Sequence, residues 1–334
     1  MKFSHFSRVL GLLLCLSVCL FSCRAKAQGD DRLEPKKLQV VCTLFASYDF
    51  AKTILGDSAE VYNLIPDGAN PHSYEPSPFD IARIYQADML IYTHDSIEPW
   101  VAKLKSSLPG SLRVVEAGHG VSGLAACDDK AHSHAEDHGD EHSHGDDNHE
   151  ADASSDPHIW TSLDIAADML KAIAEACVLL RPEEQGLYQE RLNHYVHELK
   201  DIEAEAREAF APYSKGELYF AGHYPLSRFT KSFGIEVKSV FPSLNAESEP
   251  SAMQIAQFYT ELAKYKNPVI FFDCQVDTKI LHVLNEGQNS ELLGLHALHV
   301  QSREDTKAQL SYTDLVRSNI AAIAHGLAAQ EKKL

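Results

Sequence analysis

Three histidines stand where imidazole chemistry can gather a metal. His72 lies in Gly68-Ala69-Asn70-Pro71-His72-Ser73-Tyr74-Glu75-Pro76-Ser77-Pro78, His158 in Asp156-Pro157-His158-Ile159-Trp160, and His223 in Phe220-Ala221-Gly222-His223-Tyr224. Neutral imidazole is the commonest metal ligand. Three of them suit Zn²⁺ at about 2.0–2.1 Å, whereas carboxylate and carbonyl sets suit Mg²⁺, Ca²⁺ or Mn²⁺. Pro71 and Pro157 stiffen the backbone before two of them. A lone loop histidine is more often a surface or capping residue, so the case rests on whether the fold brings the three together. A hydrolase would also need a general base beside the metal. The chain has no H-E-x-x-H, and Glu75 is the nearest candidate in sequence.

The elements that must position them alternate. The apolar run 38–45 reads as a buried strand and leads to a helix at about 48–55. Strand 60–64 follows, then helix 78–86 with Ser77 as N-cap and Pro78 at its first position. Strand 89–92, helix 97–107 and strand 112–115 complete a first series. A helix covers 162–180. A longer one is bounded by Pro182 and Pro212, with its apolar stripe at Tyr188, Leu192, Tyr195, Leu199, Ile202, Ala206 and Ala209. At about 27 residues it would run roughly 40 Å. Strands 217–221, 237–241, 269–272 and 292–300 then alternate with helices 251–264, 277–287 and 312–327. Two βαβ series mean two parallel sheets. Ligands of such sheets collect at the strands' carboxyl ends; His72 and His223 follow strands there, and His158 stands at the entry of helix 162–180.

Charge excludes one class of partner. The 334 residues carry 48 Asp and Glu against 30 Lys and Arg, a net charge of −18. Nucleic-acid binding needs basic patches for phosphate, so nucleic acid is not expected. The excess is concentrated: between Ala126 and Asp156 there are 11 acidic residues and one Lys, a net of −10. The same stretch holds His132, His134, His138, His142, His144 and His149. Charge this dense cannot build a core, so a mobile loop is expected. Its bland role is a solvated spacer; its sharper one is a weak collector of Zn²⁺.

The N-terminus reads as a secretory signal. Lys2 and Arg8 precede the 13-residue apolar run Val9–Phe21, too short to span a bilayer core of about 30 Å comfortably. Ala25-Lys26-Ala27 is an A-x-A cleavage site. Leu20-Phe21-Ser22-Cys23 is the competing exit, a lipobox with an unusual Phe that would leave a lipidated Cys23. The mature chain is therefore expected in the periplasm or at the outer cell surface. Cys42, Cys127, Cys177 and Cys274 lie beyond the signal without CxxC spacing. They allow one disulfide or buried free thiols.

The segments GANPHSYEPSP (68–78), DPHIW (156–160) and FAGHYPLSRF (220–229) resemble the three metal-binding segments of cluster A-I solute-binding proteins. These are the ZnuA/TroA-like receptors of zinc and manganese ABC importers. The resemblance covers about 38–327, with the long helix, Ser311-Tyr312 and the His-rich acidic insertion included. It implies two lobes, each a four-stranded mainly parallel sheet flanked by helices, joined by one long rigid helix with the metal between the lobes. By position His72 and His158 would come from the first lobe and His223 from the second. Manganese members usually have Glu at the third place, so His223 favours Zn²⁺ over Mn²⁺. The fourth ligand departs from the family's Asp in an L-D-P-L-like segment. Leu295-His296-Ala297-Leu298 is its best counterpart, with His296 as the ligand and His299, Glu304, Asp305 or water as competitors.

The expected organisation is a signal at 1–27, an N-terminal lobe at 32–182 with the loop 126–156, a linking helix at 183–212 and a C-terminal lobe at 213–334. The expected function is capture of Zn²⁺ outside the cytoplasm and delivery to an ABC permease. The receptor is expected to be a monomer that meets the membrane through the permease or a lipid anchor. It is not expected to be an enzyme. The alternatives are a zinc hydrolase, using a water on a metal held by three histidines, and a surface adhesin.

Overall fold

Each strand read from the sequence forms: Met89–Tyr92 has its expected bounds, and the others differ at one end or both. The apolar run at 38 gives β1 (Leu38–Cys42), buried along nearly its whole length. It is followed by α1 (Phe45–Leu55), β2 (Ala59–Asn63), α2 (Pro78–Gln86), β3 (Met89–Tyr92), α3 (Pro99–Lys105) and β4 (Arg113–Glu116). The sheet order is β2-β1-β3-β4 and every pairing is parallel. Strands buried on both faces read as continuous apolar runs, as Met89–Tyr92 does. The computed structural model describes residues 36–121, 156–213, 216–240, 250–275, 279–287 and 289–330. The signal at 1–27 with Cys23, the acidic tract up to Ser155, and Cys127 lie outside those residues.

After the tract come α4 (Leu163–Leu180) and α5 (Gln185–Phe210), the long helix of 26 residues. The second series is β5 (Glu217–Phe220), α6 (Ser227–Lys231), β6 (Glu236–Ser239), α7 (Ala252–Leu262), β7 (Val269–Asp273), α8 (Lys279–Asn285), β8 (Glu291–Leu295), α9 (Arg303–Ala308) and α10 (Tyr312–Ala329). Its sheet, β6-β5-β7-β8, is again all parallel and repeats the first sheet's order. Both sheets belong to one compact unit, Leu38–Leu334.

The long helix buries the expected stripe, except that Phe210 rather than Ala209 closes it. It is fastened on both sides. Tyr195 donates to Asp49 of α1 at 2.8 Å, Arg191 donates to the Ile54 carbonyl at 2.8 Å, and Arg317 of α10 reaches Glu198 and Glu205 at 2.9 and 3.1 Å. Phe50 packs edge-on against Tyr195 and Tyr312. One apolar core runs from β1 and α1 through this helix to β5, β7 and α10. A core shared this way resists wide opening, because separation would expose close-packed apolar surface.

Two differences from the expected elements matter for the site. Strand β8 stops at Leu295 instead of running to 300, because Leu298 takes the left-handed conformation (φ 63°) that a strand cannot hold. Helix α6, absent from the sequence-based pattern, opens just after His223. Cys42 and Cys177 are free and buried, and Cys274 is free and exposed. Among the described residues no helix is long and apolar enough to cross a membrane.

Candidate metal centre

His72 is set by a short 3₁₀ turn, Pro71–Ser73. The Asn70 side chain accepts the His72 N–H at 3.0 Å and so caps that turn. The next helix is fixed at its start by a capping box in which Ser77 and Asp80 satisfy each other's backbone N–H. His158 sits in a similar local device: the Asp156 side chain accepts its main-chain N–H at 3.0 Å. The chain then packs Ile159 tightly over Gly118, where a Cβ would stand 2.3 Å from the Ile159 side chain. His223 follows Gly222, whose φ of 127° is a conformation side-chain-bearing residues rarely adopt.

These three devices bring the three imidazoles together. One nitrogen from each of His72, His158 and His223 lies within 4.8 Å of the others. The His158 Nε2 is 3.4 Å from the Nε2 of His72 and 3.4 Å from that of His223. With Zn–N bonds of about 2.0–2.1 Å, a tetrahedral site has an N···N edge of about 3.3–3.4 Å. Two of the three edges, both from His158, therefore match those of a zinc tetrahedron.

The tautomer of His158 follows from its neighbour. Its Nδ1 is 2.7 Å from Asp156 Oδ1. Burial pushes the Asp156 carboxyl up, but hydrogen bonds from His158 and Ser227 outweigh it and hold the group below its ordinary range. An ionised carboxylate only accepts, so Nδ1 carries the proton and Nε2 presents a bare lone pair to the cluster. Such a carboxylate–histidine pair fixes ring orientation and raises ligand basicity. His72 is more open to solvent, yet burial and the facing His158 and His223 rings lower its pKa to about 4. A second buried carboxylate, Asp273 at the carboxyl end of β7, accepts the Gln275 N–H at 2.9 Å; burial raises its pKa to about 6.

The fold does not bring His296 to this cluster. Its Nδ1 accepts the Leu298 N–H at 2.9 Å, and its Nε2 faces Asp305 Oδ2 at 3.4 Å. Past the left-handed turn at Leu298 comes His299, which is outside the group of three converging nitrogens but beside it. The His299 ring centroid is 6.0 Å from that of His72, and the residue is 4% exposed. Burial and then the His158, His72, His296 and His223 rings depress its pKa well below the ordinary value. Its Nδ1 has no hydrogen-bond partner among the described residues, an unusual state for a buried polar atom.

The strap that carries His299 leaves the second sheet and is tied to the first lobe. The Phe45 N–H donates to the His299 carbonyl at 2.8 Å, and the Gly68 N–H to the Gln301 carbonyl at 2.9 Å. Trp160 Nε1 donates to the Ala297 carbonyl at 2.8 Å. Neither this strap nor the placement of Asp156, Ser227 and Asp273 follows from the sequence pattern. The one local signal is Asp156 standing two residues before a histidine, which is Asx-turn spacing.

The chain resembles known proteins over nearly all of its described length. The family model for zinc-uptake complex component A, periplasmic (ZnuA), matches residues 40–326. The high-affinity zinc uptake system protein ZnuA of Bacillus subtilis is 27% identical over 327 residues, which is 97% of this chain and 98% of that protein. The zinc-binding lipoprotein AdcA of Streptococcus pneumoniae is also 27% identical. The match covers 93% of this chain but 60% of that longer protein. Among solved structures, the metal-dependent lipoprotein YcdH from Bacillus subtilis superposes with a TM-score of 0.69 at 26% identity, covering 86% of this chain and 98% of that one. The chain belongs to the ZnuA family of periplasmic zinc-uptake components.

Proposed function

We propose that this chain captures Zn²⁺ in the cleft between its two lobes and hands it to an ABC permease, with His72, His158, His223 and His299 as the four ligands. The observation that carries the reading is the pair of 3.4 Å Nε2···Nε2 separations. Neutral nitrogens whose lone pairs converge at that distance are arranged for a shared cation. An all-imidazole set favours zinc over the harder manganese ion. The hydrolase alternative loses support, because with His299 as the fourth ligand no position is left for an activated water. The receptor works as a monomer outside the cytoplasm, reaching the membrane through the permease or a lipid on Cys23.

Metal analysis of the purified mature chain tests this, with Zn²⁺ and Mn²⁺ supplied in competition. One tightly held equivalent of zinc is expected, and a preference for Mn²⁺ would overturn the assignment. The acidic histidine tract acts as a second, weak class of sites, and pH separates the two. A lowered imidazole pKa means that protons compete for the ring only at lower pH. With His72 near 4 and His299 well below its usual value, the cleft should hold zinc from pH 7 to about 5 and lose it toward 4. Ordinary imidazoles protonate near 6.5, so tract-bound zinc should leave between about pH 7 and 6. The full chain is expected to bind more than one zinc at pH 7.5 and one at pH 5.5. A chain lacking 128–153 is expected to bind one at both. Equal stoichiometry of the two chains at pH 7.5 would remove the collector role.

A further inference from the structure

Asp156 touches both lobes. It is 1% exposed, and its acceptor atoms are divided between them. Oδ1 takes the Nδ1–H of ligand His158 and that residue's main-chain N–H. Oδ2 takes the Ser227 hydroxyl, and the main-chain oxygen takes Arg228 Nε at 2.7 Å. Ser227 and Arg228 open α6, four and five residues after His223. One short segment of the second lobe therefore supplies a ligand and also grips the carboxylate that aims another ligand.

We propose that Asp156 is a positioning residue that makes the aim of His158 depend on the second lobe's grip, so that the two lobes' imidazoles let go of zinc together. The inference rests on the assignment of His158 as a ligand. The physical chain is short. While Ser227 and Arg228 hold Asp156, its carboxylate has one orientation, the His158 proton stays on Nδ1, and Nε2 points at the metal. When the segment 222–231 withdraws, His223 leaves the metal directly. In the same movement Oδ2 loses its donor. The carboxylate can then turn, and the imidazole loses the bond that fixes its tautomer and ring plane. Changes to such carboxylate partners cost about 10–100-fold in metal affinity. A small lobe shift, all that the shared core permits, is in this way converted into loss of two ligands rather than one.

The test uses the mature chain and Zn²⁺ itself. The variant Ser227→Ala with Arg228→Gln leaves every proposed ligand and Asp156 in place. It is expected to release zinc to a chelator about tenfold faster. In the metal-free state, ¹⁵N spectra of its His158 ring should show both tautomers where the parent shows only Nδ1–H. Asp156→Asn should lose about 10–100-fold in affinity. Ser227→Thr, which keeps the hydroxyl, should restore the parental rate in the Arg228 background. A double variant with the parental release rate and a single His158 tautomer would overturn the inference. So would Ser227→Thr releasing zinc as fast as Ser227→Ala, since that marks general damage. If His158→Ala itself keeps parental zinc affinity, the ligand assignment has failed instead.

Discussion

Replacing His72, His158 and His223 together by Ala is expected to abolish tight zinc binding, and replacing His299 alone is expected to weaken it by about 100-fold or more. Zinc sites of four protein ligands are worth about 10–16 kcal/mol in total. Shared over four imidazoles, that is about 2.5–4 kcal/mol each, and about 1.4 kcal/mol is a factor of ten. The sharper comparison is between His299 and His296. Both are buried and three residues apart, and both could be placed at the family's fourth position from sequence. Each keeps one nitrogen without a hydrogen-bond partner among the described residues, and it is the His299 ring that stands beside His72. The His296 Nδ1 accepts the Leu298 N–H, and its Nε2 faces Asp305 rather than the cluster. His296→Ala should therefore lower the melting temperature, by leaving the Leu298 N–H unsatisfied, and change zinc affinity by less than about threefold. Isothermal titration with a competing chelator measures both variants. Sub-micromolar affinity in the triple variant, or a larger loss from His296→Ala than from His299→Ala, would refute the ligand set.

How much of this is legible in the sequence depends on whether the cause is local. The start of α2 can be placed to the residue because a capping box is a dialogue between Ser77 and Asp80, three positions apart. The parallel sheets are legible because alternating apolar runs and helical stripes are periodic properties of the chain itself. The overlong strand 292–300 shows the opposite case. The run Leu295 to Val300 is apolar enough for a strand, but beyond Leu295 the His299 and Gln301 carbonyls accept from Phe45 and Gly68 of the other lobe. That competition is between residues more than two hundred positions apart, and no window of sequence contains it. The choice between His296 and His299 fails for the same reason, since it turns on one left-handed residue, Leu298. Helix α9 is different. Its capping box, Ser302 with Asp305, is a local signal, but the segment that follows is short and polar and shows no apolar stripe.

Trp160 is where the strap, the ligands and the core meet, and Trp160→Ala is expected to cost about 3–5 kcal/mol of stability. The side chain is 1% exposed and is the largest of the fully buried ones. Its Nε1–H satisfies the Ala297 carbonyl at 2.8 Å, and its own carbonyl accepts the Tyr312 hydroxyl at 2.6 Å. Its ring lies beside His158 at 5.3 Å and His299 at 6.3 Å between centroids. Truncation to Ala leaves a cavity beneath two proposed ligands and an unpaired buried carbonyl. At about 2–4 °C per kcal/mol for a chain of this class, a fall in melting temperature of about 10 °C is expected. Trp160→Phe separates the two contributions. It keeps an aromatic ring in the core but removes the donor that ties Ala297, and an unsatisfied buried acceptor costs about 1–3 kcal/mol. With that tie gone, the strap's main chain keeps its bonds from the Phe45 and Gly68 N–H groups of the first lobe. Zinc affinity should then fall about tenfold while the melting temperature falls by only a few degrees. Thermal melts of the metal-free chain and chelator competition on the loaded chain measure the two effects. If Trp160→Phe keeps full zinc affinity, the tie to Ala297 does not hold His299 in place, and Trp160 serves the core alone.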